Sequence, residues 1–113
     1  MNILIICVSK EHGNTQKIAE SMTKALDATM LKPDEVDPSS LEQYDLIGFG
    51  SGIRWAKHYR ELLEFITKMP HLEGRRAFVF STSGFGIKWP QHNALRKGLK
   101  DKGLSVIGEY CCK

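Results

Sequence analysis

Two patterns of apolar positions alternate along the chain. Asn2–Val8 is an almost unbroken apolar run rich in isoleucine, as expected for a strand buried on both faces of a parallel sheet. Asp45–Gly50 (DLIGFG) and Arg76–Ser81 (RAFVFS) repeat the pattern, Leu104–Tyr110 closes the series, and Ala28–Leu31 is a weaker strand candidate. Between these runs the apolar residues recur at helical spacing. They are Ile18, Ala19, Met22, Ala25 and Leu26 within Thr15–Leu26; Tyr59, Leu62, Leu63 and Ile66 within Lys57–Met69; and Ala94, Leu95 and Leu99 within Gln91–Lys102. Pro70 ends the second helix and Gly103 caps the third. Lys32–Ser40, with its prolines, acidic residues and serines, reads as loop, and Leu41–Tyr44 as a single helical turn.

The order β-α-β-(α)-β-α-β-α-β with short connections predicts one α/β domain over residues 1–113, an open, doubly wound parallel sheet. Such a sheet needs helices on both faces, and no sequence remains after Leu104–Tyr110 to form a C-terminal helix. The expectation is therefore a truncated chain, or one whose uncovered face is buried by a partner, with a homodimer through that face as one form.

Composition narrows the class. The chain has 113 residues, 42% apolar and 26% charged, enough for one small core. No apolar run approaches the ~20 residues of a membrane span, and no basic segment precedes Ile3–Val8. A soluble, cytoplasmic protein is expected. The net charge of +3 is scattered, so Arg75–Arg76 and Lys100–Lys102 read as solvated surface and no nucleic-acid partner is expected. The three cysteines form no CxxC. Cys7 reads as a buried structural thiol, and Cys111 and Cys112 lack the neighbours of a metal site.

Ligands of open α/β sheets bind outside the carboxyl ends of the strands, and three loops carry candidate chemistry there. The first is Ser9, Lys10, Glu11, His12, Gly13, Asn14 and Thr15. Free N–H groups at a helix start, a glycine and three hydrogen-bonding side chains suit a phosphate cradle, although Asn14 or Thr15 would equally serve as an ordinary helix cap. The second runs through Gly50, Ser51, Gly52, Ile53, Arg54 and Trp55. Its glycines permit close approach of a flat ring on which Trp55 could stack, or Trp55 packs on the following helix. The third comprises Thr82, Ser83, Gly84, Phe85, Gly86, Ile87, Lys88 and Trp89, either a set of backbone donors for a ring or a flexible glycine-containing turn.

None of these is a Walker A or GxGxxG sequence, and no GxSxG frames a serine. His12, His58, His71 and His92 lack metal-ligand spacing, although His58 and His92 begin helices near the proposed site.

Gly13-Asn14-Thr15 followed by Lys17-Ile18-Ala19, the YDLIGFGSG stretch (Tyr44–Gly52) and the FVFSTSG stretch (Phe78–Gly84) together resemble the flavodoxin family over essentially the whole chain up to the last strand. The resemblance implies strand order 2-1-3-4-5 with FMN at the β1/β3 switch point. It implies that Ser9 to Thr15 hold the FMN phosphate, and that Ser51 to Trp55 and Thr82 to Trp89 flank the isoalloxazine ring. The flavin would carry the chemistry, with no side chain assigned a catalytic role and no metal. Redox proteins or a small-molecule electron acceptor would be the partners. An NAD(P)H-dependent flavin or quinone reductase and a flavin-free interaction module are the alternatives on the same fold. The chain departs from the family in having Lys10 and His12 where Ser or Thr is usual, and in its slightly basic charge.

Overall fold

A computed structural model describes residues 2–8, 14–52, 56–82 and 90–112. Five strands form one sheet: β1 (Ile3–Val8), β2 (Thr29–Leu31), β3 (Leu46–Gly52), β4 (Arg76–Thr82) and β5 (Ser105–Cys112). Three helices connect them: α1 (Asn14–Leu26), α2 (Ala56–Lys68) and α3 (Pro90–Asp101). Short 3-10 turns at Pro33–Glu35 and Pro38–Gln43 link β2 to β3. The strand order is β2-β1-β3-β4-β5, with every pairing parallel.

Strand ends differ most from the sequence reading. Ser51, Gly52 and Thr82, expected in loops, are strand residues, because Ser51 pairs with Ser81 and Gly52 with Thr82. Strand β5 continues past Tyr110 to Cys112 for the same reason, pairing with Ser81 and Thr82. Backbone pairing costs these polar residues nothing at a sheet edge, and hydropathy cannot register it. Asn14 opens α1 and Pro90 opens α3, one residue earlier than expected in each case. Proline suits the first helical position, where no N–H is needed.

Strand β1 is buried at all six positions, and alternate side chains feed two cores. Leu4, Ile6 and Val8 join Ile47, Phe49, Ala77 and Val79 under α2 and α3, where Leu62, Ile66, Leu95 and Leu99 close the larger cluster. Ile5 and Cys7 join Phe78 and Phe80 on the opposite face, under Ala19 of α1, with Ile18 and Met22 alongside. Each fully buried Leu or Ile contributes about 1.5–3 kcal/mol of transfer free energy. Ala25 and Leu26, placed on the apolar stripe by spacing, are exposed instead. They lie where α1 winds down into Asp27, which adopts φ 53°, while Ala28 N–H donates to Thr23 O at 2.9 Å. A left-handed residue ends the helix, as glycine more often does. Gly103 does so after α3, with φ 89°.

The face served by α1 alone is less bare than a missing helix suggests. Phe78 and Phe80 are both buried there, their ring centroids 6.1 Å apart. They lie across Gly48 and Gly50 of β3, and a Cβ on either glycine would overlap the facing ring. Absence of side chains on β3 thus makes room for aromatic ones on β4. Among the described residues the exposed large hydrophobic side chains are Leu26 and Ile107, 41% and 58% accessible.

Ile107 sits at a bulge. Val106 pairs with Ala77, but Gly108 pairs with the next residue, Phe78, leaving Ile107 as the extra residue. The shift turns Glu109 to the α3 face, where Arg96 Nε lies 3.5 Å from its Oε1. In an uninterrupted register Glu109 would pair with Phe80 and point to the α1 face.

Replacing Gly50 or Gly48 by alanine is expected to lower stability by about 1–3 kcal/mol through overpacking against Phe80 or Phe78. Urea unfolding of each variant checks this, and Gly74→Ala is the contrast: it meets no atom within 4 Å and is strained by its φ of 81° alone.

Candidate functional site

The strand order fixes where a ligand can sit. From the carboxyl end of β1 the chain crosses to α1 on one face, and from the neighbouring β3 to α2 on the other. The chain therefore diverges at the β1/β3 boundary, leaving a crevice at that edge. Val8, Ser51, Ser81 and Cys111 form one transverse row there, with Gly52, Thr82 and Cys112 in the next. At about 4.8 Å between strands, β1 to β4 spans about 10 Å.

The structure brings part of the anticipated site to this edge. Asn14 and Thr15 are the first two residues of α1, so their backbone N–H groups belong to the unsatisfied first turn. Ser51 and Gly52 end β3, and Thr82 ends β4. His58 and His92 fall in the first turns of α2 and α3. Ser9, Lys10, Glu11, His12 and Gly13 lie outside the described residues. So do Ile53, Arg54 and Trp55, and Ser83, Gly84, Phe85, Gly86 and Trp89. Of the charged pairs, His71 Nε2 meets Glu73 Oε2 at 2.7 Å, both exposed, with Gly103 beside them and therefore away from this edge.

The sequence reading missed a cleft of about 650 Å³ on the α2 side of the same edge. It exists because β2 is short. Strand β2 pairs only with Leu4, Ile5 and Ile6, so Cys7 and Val8 overhang it and form the floor. Pro33, Val36 and Pro38 of the β2–β3 connection make one wall, and Phe65 of α2 contributes to the other. Cys7 is buried, as expected of a structural thiol, yet it also lines this cleft. The signal was present in the short segment Thr29–Leu31 followed by Pro33 and Pro38, which leaves β1 longer than its neighbour.

The connection that forms the wall is internally tied. Lys32 N–H donates to Glu35 Oε1 at 2.8 Å. Asp37 caps the second 3-10 turn, its Oδ1 accepting from Ser39 N–H at 3.0 Å and from Ser39 Oγ at 2.9 Å.

Parallel order 2-1-3-4-5 with helices on both faces defines a flavodoxin-like α/β protein. Comparison with known proteins agrees. Residues 5–112 match the family model described as a flavodoxin domain, and the chain belongs to the flavodoxin family. An uncharacterized protein of Methanocaldococcus jannaschii is 44% identical over 114 residues, an alignment that takes in 100% of this chain and 75% of that protein. Among solved structures, oxidised flavodoxin 2 from Bacillus cereus superposes with a TM-score of 0.77 at 20% identity, covering 99% of this chain and 85% of that one. A flavoprotein from Lactobacillus acidophilus NCFM, solved in complex with FMN, gives 0.72 at 19% identity, covering 97% and 92%. An NADH:FMN oxidoreductase in its apo form gives 0.69 at 20% identity, covering 98% and 74%. At these identities the structural likeness is one of fold.

Asp37→Ala removes the cap of the Pro38–Gln43 turn and is expected to cost about 1 kcal/mol, read as a lowered urea midpoint with unchanged slope.

Proposed function

We propose that this chain binds FMN non-covalently at the β1/β3 edge and serves as a redox protein that passes electrons through the flavin. Family membership over residues 5–112 is the observation that carries the reading. The edge residues suit such a ligand: a helix start at Asn14 and Thr15 for the phosphate, and the neutral hydroxyls of Ser51 and Thr82 near a ring. FMN, when bound, accepts and returns electrons.

In this reading the first turn of α1 and the side chains of Ser9, Asn14 and Thr15 hold the phosphate, with Lys10 and His12 adding positive charge. Gly52, Gly84 and Gly86 let backbone N–H groups approach the ring, and Trp55, Phe85 and Trp89 shield it from water. Ile53, Arg54, Ser83, Gly13 and Glu11 complete the three loops. Aromatic side chains against the ring disfavour an added negative charge there, which lowers the potential at which the flavin takes electrons. The partner is a redox protein or a small electron acceptor in the cytoplasm. The fold shared with an NADH:FMN oxidoreductase supports a second reading, in which the chain itself oxidises a nicotinamide cofactor. Steady-state oxidation of NADH or NADPH with a quinone present separates this from a passive carrier.

Titrating the apo-protein into FMN is expected to quench flavin fluorescence and shift the visible band at micromolar affinity or tighter. Riboflavin is expected to bind at least about tenfold more weakly, because it forgoes charge-assisted hydrogen bonds worth about 1.5–3 kcal/mol each. Equal affinity for the two would remove the phosphate loop from the reading, and no spectral change would favour the flavin-free interaction module. Trp55→Ala and Trp89→Ala are each expected to weaken FMN binding roughly two- to tenfold through lost stacking. Unchanged affinity in both would place the two rings elsewhere.

A further inference from the structure

Along the sequence the charge looks scattered, but it divides near the middle of the chain. Met1–Glu64 holds seven Lys or Arg against ten Asp or Glu, and Phe65–Lys113 holds nine against three. The first part is therefore −3 and the second +6, with histidines neutral. The division does not depend on the loops at the carboxyl edge. Among the described side chains the first part has four basic and nine acidic residues, and the second has seven and three.

Strand order turns this division along the chain into one across the molecule. Strands β2 and β5 are the two edges of the sheet, about 19 Å apart at roughly 4.8 Å per strand. The connection leaving β2 is acidic: Asp34, Glu35, Asp37, Glu42 and Asp45 are all exposed, with Lys32 as the one basic residue. Helix α3 packs on β4 and β5 and is basic. Leu95 and Leu99 are its buried side, while Lys97 and Lys100 are exposed and Arg96 is 43% accessible beside Glu109. Asp101 is the one carboxylate within the helix. Arg76, where β4 begins, extends the positive charge toward the amino ends of β4 and β5.

A molecule with one acidic and one basic end orients charged partners as they approach. A compact acidic protein can meet α3 without reaching the acidic end. A long polyanion such as nucleic acid would overlap both ends, since the molecule spans only 34 Å in its longest direction. Helix α3 also starts at the carboxyl edge, after β4. Lys97 lies about 10 Å along the axis from Pro90, and a typical contact covers about 800 Å² per partner. A protein seated on this helix therefore reaches the edge assigned to the flavin.

We propose that the outer face of α3 is the docking surface for an acidic redox protein, to which the flavin passes its electrons. The electron transfer rests on the FMN reading above, whereas the docking is testable without FMN.

The two probes are cytochrome c, a basic haem protein, and the same protein with its lysines succinylated, which is acidic. The first measurement is a chemical-shift titration of the isotopically labelled chain without FMN. At low salt the succinylated form is expected to shift the amides of Arg96, Lys97, Lys100 and Asp101 and to leave those of Pro33–Gln43 in place. The native form is expected to leave α3 unmoved. The second measurement is made by stopped flow with FMN bound and reduced, when two ferric haems take the two electrons of one flavin. Reduction of the succinylated form is expected to slow at least about threefold between about 20 and about 300 mM salt, because screening removes the steering. Lys97→Glu/Lys100→Glu is expected to lower the low-salt rate roughly three- to tenfold with FMN affinity unchanged. Lys17→Glu/Lys24→Glu makes the same change in net charge on α1, and is expected to lower the rate less than about twofold. Shifts confined to residues outside α3, a rate that does not fall with salt, or equal losses in the two double variants would each overturn the proposal. So would equal α3 shifts with a short DNA duplex, which would make the face a general polyanion site. Failure of FMN to bind would count against the flavin reading, and the shift titration would then decide the docking by itself.

Discussion

The molecule depends on one strand being buried on both faces. Ile3–Val8 places no polar side chain on either side, so both faces require cover, and three helices distributed over two faces supply it. Burial of β1 also decides where chemistry is possible. A strand with neighbours on both sides and helices above and below is open only at its ends, and parallel connections put the helix starts at the carboxyl end. The crevice at β1/β3 follows from this arrangement before any ligand-contacting residue is considered.

The two faces meet the requirement by different means. Under α2 and α3 the cover is aliphatic and interlocked, with Leu62, Ile66, Leu95 and Leu99 against β1, β3 and β4. Under α1 a single helix serves a wider area, and the sheet covers part of itself. Phe78 and Phe80 fold down over glycines of the adjacent strand, so apolar surface that a further helix would otherwise bury is already out of water. Two large side chains thus reach across a strand that carries none at those positions.

Much of the fold was legible in the residues. Continuous apolar runs identified β1, β3 and β4, and helical spacing found α1, α2 and α3, because both patterns record burial directly. Strand ends were not legible: Ser51, Gly52, Thr82 and Cys112 are held by backbone pairing, to which side-chain hydropathy is blind. The exposure of Ala25 and Leu26 was missed because spacing predicts a stripe without saying where the sheet beneath it stops. For the candidate site, glycines and hydroxyls at strand ends pointed to the edge where β1 and β3 diverge. The cleft beside it went unread because it arises from unequal strand lengths, a relation that shows only when segments distant in sequence are compared.

The bulge in β5 has a bearing on how the chain can change in length. A residue inserted into or removed from a regular strand reverses the facing of everything beyond it. Ile107 is an exception, since Val106 and Gly108 already pair with consecutive residues of β4. Loss of one residue anywhere between Ser105 and Glu109 would leave a regular ladder with Glu109 still turned to Arg96. In this short stretch the outer strand can shed a residue without a change of face beyond it, and length variation among relatives should collect there.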